Sequence, residues 1–432
     1  MNAAAGHSNK TSLDLSLSYE GSVKKVWRSS RVQDSLWFEF TDDYSVFDWG
    51  KMPDTIHNKG RALMLMGAFF FEELSKPEFW QSLRQSQHLA KFDNDFLEQR
   101  FIDPVYLGAN GLCAAGLSSH FKSVTDEDGN ALSLAAASKH QGRLLMQVER
   151  AQIYRPTSRN ILHQTVFFYP QPEKNVGARL IPLEVVFRFG MPAGSSLESR
   201  LEADKEYAKR LGFQSMPEAN KWFKQPILEF FTKLEPKDRF LSVQEAAELS
   251  GLNDAEFAKL TEIAQDVALG LHEIFARSGL ELWDGKVELL ARSSRSTANL
   301  PGTYDERNGY AGEDGAEIIL ADSIGPDELR LLYNGEQLSK EMIRQFYRGS
   351  DWEMSLKEAQ KMATARGTID WKQICAQELG SAPQSLADDF KSVVDKLYGV
   401  LANAVVEPAP FSKHPDLDSF SKELLALKAK KS

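Results

Sequence analysis

EFTDDYSVFDWGKMPDTIHNKG, residues 39–60, joins a strand-like apolar run to a helix-like one. It carries acids, a Ser45-x-x-Asp48 step and a Lys59-Gly60 pair within a short span. A merely structural connector has little use for so many charged and kinking residues. The stretch therefore reads as a loop that holds a polar, phosphorylated ligand.

Working outward, Leu15–Trp27 and Ser35–Phe40 alternate or run apolar as strands do and flank a turn, which predicts a small antiparallel sheet. Arg61–Leu74 reads as a helix that ends before Pro77. Its core, Ala62–Phe71, is too short for the ~20 residues of a membrane span, so a buried helix is expected. Residues 75–115 read as irregular and polar. Gly116–Val124 and Arg143–Ile153 look like strands, Pro156–Arg179 like a break, and Leu180–Phe189 like a strongly β-prone run. Asn253–Arg277 has an Asn/Asp start, helical apolar spacing and Gly279 as its stop. Leu280–Leu290 and Ala316–Asp322 look like paired strands around a polar loop, Ala291–Gly315. The tail from Glu336 is helical with a proline-rich interruption at Val406–Asp416. The expected class is α+β, with a β-rich N-terminal lobe, a mixed C-terminal lobe and a cleft between them. The expected boundaries are a flexible arm at 1–14, lobes at 15–180 and 181–350, and a helical extension at 351–432.

Composition narrows the function. The formal net charge is −10 over 432 residues, which argues against a nucleic-acid partner, since phosphodiester binding needs a basic field. A small phosphorylated substrate needs only a few local cations. Two cysteines, Cys113 and Cys375, are too few for a disulfide framework and lack metal-ligand spacing. The first residues carry no apolar core, so no signal peptide, no membrane partner and a cytoplasmic setting are expected. Eight histidines form no close pair. No G-x-S-x-G, Walker or Rossmann pattern is present.

Several short motifs carry chemistry. Tyr19-Glu20-Gly21-Ser22-Val23-Lys24 puts Gly21 and Lys24 on a strand–turn–strand, where amides and an ammonium can meet phosphate oxygens. An ordinary hairpin would look the same. Asp284, Lys286 and Glu288 are spaced two apart and share one face of a strand, which is also how a solvated strand face reads. Asp322 ends the next β-run. Two acids on neighbouring strands are enough to hold magnesium beside a nucleotide. Glu184 and Arg188 lie inside an apolar strand and need partners or a ligand. Arg188 can pair with a carboxylate or phosphate through two parallel hydrogen bonds.

In their order along the chain these motifs resemble the SAICAR synthase (phosphoribosylaminoimidazole-succinocarboxamide synthase) family. Residues 19–24 resemble its Y-E-G-K-x-K, with Ser22 in place of the first lysine. Ser45-Val46-Phe47-Asp48 and Lys59-Gly60 resemble S-A-F-D and K-G. His120-Phe121 follows Gly116 as in G-I-x-T-H-F, and Ile181–Arg188 resembles I-P-V-E-V-V-V-R. Ala193-Gly194-Ser195-Ser196 resembles A-G-S with one extra residue of spacing, so either serine can be the counterpart. Phe231-Thr232-Lys233 resembles F-x-T-K. Asp284–Glu288 and Asp322 resemble D-x-K-x-E and G-D-E, with Ala321 and Ser323 as departures. Pro326–Arg330 resembles the end of S-P-D-x-x-R, with Gly325 for the serine.

The resemblance implies an α+β bilobal SAICAR synthase-like fold with the ATP site in the cleft. It also implies an ATP- and Mg²⁺-dependent ligase of purine biosynthesis that joins 5-amino-1-(5-phospho-D-ribosyl)imidazole-4-carboxylate to L-aspartate. Under that reading Gly21, Ser22, Lys24 and Lys233 face the nucleotide, and Glu288 and Asp322 the metal. Arg188, Ser195, Ser196, Arg330 and Asp284 face the substrate, and Lys286 and Asp48 the reacting carboxylate. A homo-oligomer is left open. The departures at Ser22, Ala321 and Ser323 leave two alternatives open: a ligase for another carboxylate or amine, and a non-catalytic nucleotide-binding relative.

Overall fold

The computed structural model describes residues 13–162, 164–172, 177–192, 195–293 and 315–431. Most of the expected arm at 1–14 lies outside the described residues, as do Ala193 and Gly194 of the A-G-S motif and 294–314 of the polar loop.

Two antiparallel sheets and a set of helices build an α+β architecture. The first sheet runs Leu15–Glu20, Lys24–Ser29, Ser35–Phe40, Leu144–Glu149, Phe121–Asp126, Ala131–Leu132. The second runs Phe240–Leu241, Trp222–Thr232, Leu183–Gly190, Glu281–Arg292, Leu329–Tyr333, Glu336–Gln337. Strands Glu317–Ala321 and Ala178–Leu180 pair with Glu281–Arg292 as well. The sheets are tied together where Ser119 bridges Leu320 and the His120 N–H donates to the Leu320 carbonyl at 2.9 Å.

Strand Leu183–Gly190 sits between Trp222–Thr232 and Glu281–Arg292. One of its faces is apolar. Val185, Phe187 and Phe189 are buried in the same core as Phe230, Val287 and Leu289. Helix Asp254–Ala276 belongs to that core through Phe257, Leu260, Ala264, Val267 and Leu271, the apolar stripe that a 3.6-residue period requires. Its start is a capping box, with Asn253 and Glu256 satisfying each other's backbone N–H. The sequence readings of this helix and this strand hold.

Helix Lys59–Leu74 is buried along most of its length, as its apolar run predicts. Its first turn explains the Lys-Gly pair. A Cβ on Gly60 would lie 2.4 Å from the Phe40 carbonyl oxygen, so only glycine lets helix and strand approach this closely. The Asp42 carboxylate receives the N–H groups of Asn58 and Gly60 at 3.2 and 2.9 Å, supplying acceptors at the helix start.

Two regions differ from the sequence reading, and a third has none. Residues 75–115 form short helices, Pro77–Leu83, Asn94–Ile102, Pro104–Leu107 and Leu112–Ala115, with a 3₁₀ turn at Gln87–Leu89. Each is too short to show a period, yet Asp93 and Asp103 cap two of them. Within the expected break, Thr157–Ile161 and Gln164–Phe168 pair as a hairpin. Thr157–Ile161 is exposed throughout, so no apolar alternation marks it. Trp222–Thr232 is a long strand despite Pro226, a residue that lacks the ladder donor and ordinarily argues against a strand. In the C-terminal segment, helix Asp388–Val405 packs on Lys59–Leu74 and on Leu417–Lys431. No helix among the described residues is long and apolar enough to cross a membrane.

Candidate active site

The polar face of the second sheet carries most of the candidate residues. Side chains alternate along a strand, so Glu184 and Arg188 share the face opposite Val185 and Phe187. Asp284 is the cross-strand partner of Arg188, and Lys286 that of Val186. Glu288 pairs with Ala321, which sets Asp322 beside it. Lys233 follows Trp222–Thr232 and is anchored by its N–H to the Pro182 carbonyl at 3.1 Å.

These positions produce a lattice of opposite charges. Lys233 Nζ lies 2.5 Å from Glu288 Oε1 and 3.0 Å from Glu184 Oε1. Lys286 Nζ reaches the same Glu184 oxygen at 2.7 Å. Lys24, delivered by the hairpin of the first sheet, forms an ion pair with Asp322. The lattice therefore spans both sheets.

Burial and neighbours set its protonation. Burial, reinforced by the Asp322 charge, pushes Glu288 up to about 8. Burial would raise Asp322 too, but Lys24 and Lys233 outweigh it and hold its carboxyl well below the usual carboxylate range. The two neighbouring carboxyls are thus pushed in opposite directions, Glu288 up and Asp322 down. Burial, with Glu184 adding to it, raises Asp238 to about 6. Burial lowers His120 to about 4, so its imidazole is neutral. Its Nε2 sits 3.1 Å from the Asp322 carbonyl oxygen, an acceptor only, which assigns the proton to Nε2. Asp322 needs such support, because its φ of 60° is in the left-handed region.

A second cluster adjoins the first on the same face. Arg188 Nε is 2.5 Å from Glu229 and Nη1 3.0 Å from Asp284. Its two Nη atoms reach Ser195 Oγ at 3.4 Å and Ser196 Oγ at 3.3 Å. Arg330 Nε stands 3.5 Å from Asp284. Both serines therefore remain candidates for an anion contact.

The structure brings together Lys24, Lys233, Lys286, Glu288 and Asp322 in one cluster, and Arg188, Asp284, Ser195, Ser196 and Arg330 in the other. Gly21 and Ser22 form the turn before Lys24, with the Gly21 N–H donating to the Lys24 carbonyl at 2.9 Å. Asp48 is exposed, and its charge reaches Asp238. It makes no ion pair among the described residues. Most of the other charge in the 39–60 loop has a structural use. Asp42 caps a helix, Asp54 accepts from Tyr44, and Lys59 is fully buried against Asp327. The close packing of charge that reads as ligand binding is therefore in good part structural.

Glu229 and Asp238 were not singled out from sequence. Glu229 has a signal, since an acid between Leu228 and Phe230 in a β-run needs a cation, and Arg188 is the obvious one. Asp238 lies in a short polar turn after Lys233 with no such mark. Among the described residues no group of three or more His, Cys, Asp or Glu is arranged to hold a metal. Magnesium needs only one or two carboxylates beside phosphate oxygens. Glu288 and Asp322, oxygen donors set side by side by the Glu288–Ala321 pairing, fit that demand.

Comparison with known proteins shows the family of this chain. A family model described as SAICAR synthetase matches residues 17–99 and 138–298. A protein of Archaeoglobus fulgidus, provisionally named phosphoribosylaminoimidazole-succinocarboxamide synthase, is 31% identical over 369 residues, covering 85% of this chain and 87% of its own. The Thermoplasma acidophilum phosphoribosylaminoimidazole-succinocarboxamide synthase is 25% identical over 351 residues, covering 79% and 86%. The solved SAICAR synthase of Saccharomyces cerevisiae, complexed with SAICAR, is 18% identical, covers 93% of this chain and 97% of that one, and superposes with a TM-score of 0.48.

Proposed function

Because this chain belongs to the SAICAR synthetase family, we infer that it is an ATP-dependent ligase of purine biosynthesis. It joins 5-amino-1-(5-phospho-D-ribosyl)imidazole-4-carboxylate to L-aspartate and releases SAICAR, ADP and phosphate. The cytoplasm is the proposed compartment, in keeping with the free thiols of Cys113 and Cys375.

The chemistry follows from the substrates. A carboxylate is a poor acylating agent. Transfer of the γ-phosphoryl group to a carboxylate oxygen of the imidazole gives an acyl phosphate. The aspartate amine attacks its carbonyl carbon, loses a proton, and phosphate leaves as the amide forms. No protein side chain has to act as a covalent nucleophile. What the protein must do is hold several anions in line and neutralise the charge that moves between them.

The reading assigns Lys24, with the Gly21–Ser22 turn, and Lys233 to the nucleotide phosphates. Glu288 and Asp322 would hold magnesium, which when bound draws charge from the phosphate oxygens. Arg188, Ser195, Ser196 and Arg330 would take the substrate phosphate and carboxylates, with Asp284 orienting both arginines. Lys286 and Asp48 would lie near the reacting carboxylate. Every one of these cations is already paired with an acid in the free chain. Anionic substrates can exchange for those partners without leaving a bare buried charge.

The observation that carries the reading is the convergence of Lys24 from the first sheet on Asp322, Glu288 and Lys233 of the second. Purified protein given ATP, magnesium, the imidazole carboxylate and aspartate should release ADP, and release should stop when either co-substrate is omitted. No ADP with all components present contradicts the reading. ADP formed only with a different carboxylate or amine favours a diverged ligase instead.

A further inference from the structure

The loop that carries Asp48 is gripped from outside by the C-terminal segment, which runs from helix Lys340–Tyr347 to the end of helix Leu417–Lys431. At one foot the hydroxyls of Tyr44 and Tyr347 are 2.9 Å apart, and Tyr44 donates to Asp54 Oδ1 at 2.6 Å. The other oxygen of Asp54 accepts the Leu386 N–H at 3.2 Å. At the other foot Lys391 Nζ donates to the Thr55 carbonyl at 2.7 Å, and the Asp395 carboxylate accepts the His57 N–H at 2.8 Å. Over the crown, the Trp352 ring centroid lies 6.0 Å from that of Phe47 and 5.6 Å from that of Trp49, and Trp371 is 6.1 Å from Trp49.

The crown needs this grip. Phe47 and Asp48 have φ of 53° and 58°, successive left-handed residues without a glycine. Aspartate tolerates that conformation, but a phenylalanine adopts it only where the surroundings impose it. Across the crown the loop bonds itself by Trp49 N–H to the Val46 carbonyl at 3.1 Å, Met52 N–H to the Tyr44 carbonyl at 3.0 Å and Gly50 N–H to Ser45 Oγ at 3.3 Å, while Lys51 pairs with Asp43 at 3.0 Å. The same C-terminal helix reaches the next motif as well, since Tyr398 donates to Asp327 at 2.5 Å.

We propose that the C-terminal segment is a positioning element: Tyr347 and Trp352 impose the left-handed Phe47-Asp48 turn and thereby fix where Asp48 is held. The proposal rests on the function given above only for what that placement serves. Tyr347 and Trp352 act through the loop and touch no substrate themselves.

The test uses the full chain with Tyr347→Phe, Trp352→Ala and the conservative Trp352→Phe. The control is Arg366→Ala, whose ion pair with Glu378 lies within the C-terminal segment itself. Hydrogen exchange of the Trp49, Gly50 and Met52 amides should speed by about tenfold or more in Tyr347→Phe and Trp352→Ala, because the opening free energy of the loop falls. The kcat for ADP release should fall by about tenfold, the scale of a catalytic group slightly misplaced. Nucleotide Kd should move by less than about twofold, because the phosphate contacts are not on this loop. Trp352→Phe should recover both readouts, and Arg366→Ala should match the parent. Unchanged exchange in Trp352→Ala and Tyr347→Phe overturns the proposal. So does a loss of kcat that runs in step with nucleotide affinity and melting temperature, which is the mark of general destabilisation. A parent protein that releases no ADP would sink the assigned function, and loop exchange would still decide whether the segment sets the turn.

Discussion

Asp322→Asn is expected to lower turnover by about a hundredfold or more, the scale seen when one preorganised charge at a reacting centre is removed. The chain should stay folded. Asp322 has φ of 60°, and asparagine is the residue that best replaces aspartate in the left-handed region. The Lys24–Asp322 pair is partly open to solvent, with 18% and 28% of the side chains exposed. Its loss should therefore cost stability only about 1 kcal/mol. The chemical loss is larger. The anion that holds Lys24 at the junction of the sheets disappears, and so does one of the two carboxylates proposed for magnesium. Turnover by steady-state ADP release, with circular dichroism as the check on folding, decides the matter. Turnover equal to the parent rejects the role given to Asp322.

Lys59→Met is expected to destabilise the fold by about 3–5 kcal/mol, because it takes the paired cation from a buried carboxylate and leaves only the weaker pull of Lys340. Lys59 Nζ lies 2.8 Å from Asp327 Oδ2, with side chains 0% and 5% exposed. Charge more than hydrogen-bond alignment holds this pair, since neither atom has a well-aligned partner. Burial alone would raise the Asp327 carboxyl. Lys59 and Lys340 outweigh burial, and with the Tyr398 hydroxyl they hold it at about 2. A depressed folded pKa contributes stability above the unfolded value of roughly 4, and that stability is lost as pH falls toward 2. Lys59→Met should erase most of this acid limb. Urea denaturation at neutral pH reads the main effect. Lys59→Met/Asp327→Asn should recover much of the loss, because it removes the stranded charge and leaves an acceptor for Tyr398. A single variant as stable as the parent contradicts this account of the buried pair.

How much was legible in the sequence depends on how local the signal is. Helix Asp254–Ala276 and strand Leu183–Gly190 are written in apolar periodicity and caps, and both stand where they were expected. The helices of residues 77–115 are shorter than the period that would reveal them. Hairpin Thr157–Ile161/Gln164–Phe168 buries too little to leave a pattern. In the site, spacing placed Asp284, Lys286 and Glu288 on one strand face. It could not say that Asp284 belongs with Arg188 while Glu288 belongs with Lys233 and Asp322. That division is set by strand register between distant segments. Lys59 is the sharpest miss. A lysine in a charged loop reads as a ligand contact, and its burial depends on Asp327 and Tyr398, both remote in sequence.

The central claim is that one phosphate pocket is shared between Lys24 of the first sheet and the Glu288–Asp322 pair of the second. A crystal structure with a non-hydrolysable ATP analogue and magnesium tests it most directly. The account predicts the triphosphate between these groups, Lys24 released from Asp322 onto a phosphate oxygen, and the metal on at least one of the two carboxylates. A nucleotide bound elsewhere, with the Lys24–Asp322 pair intact, would contradict it.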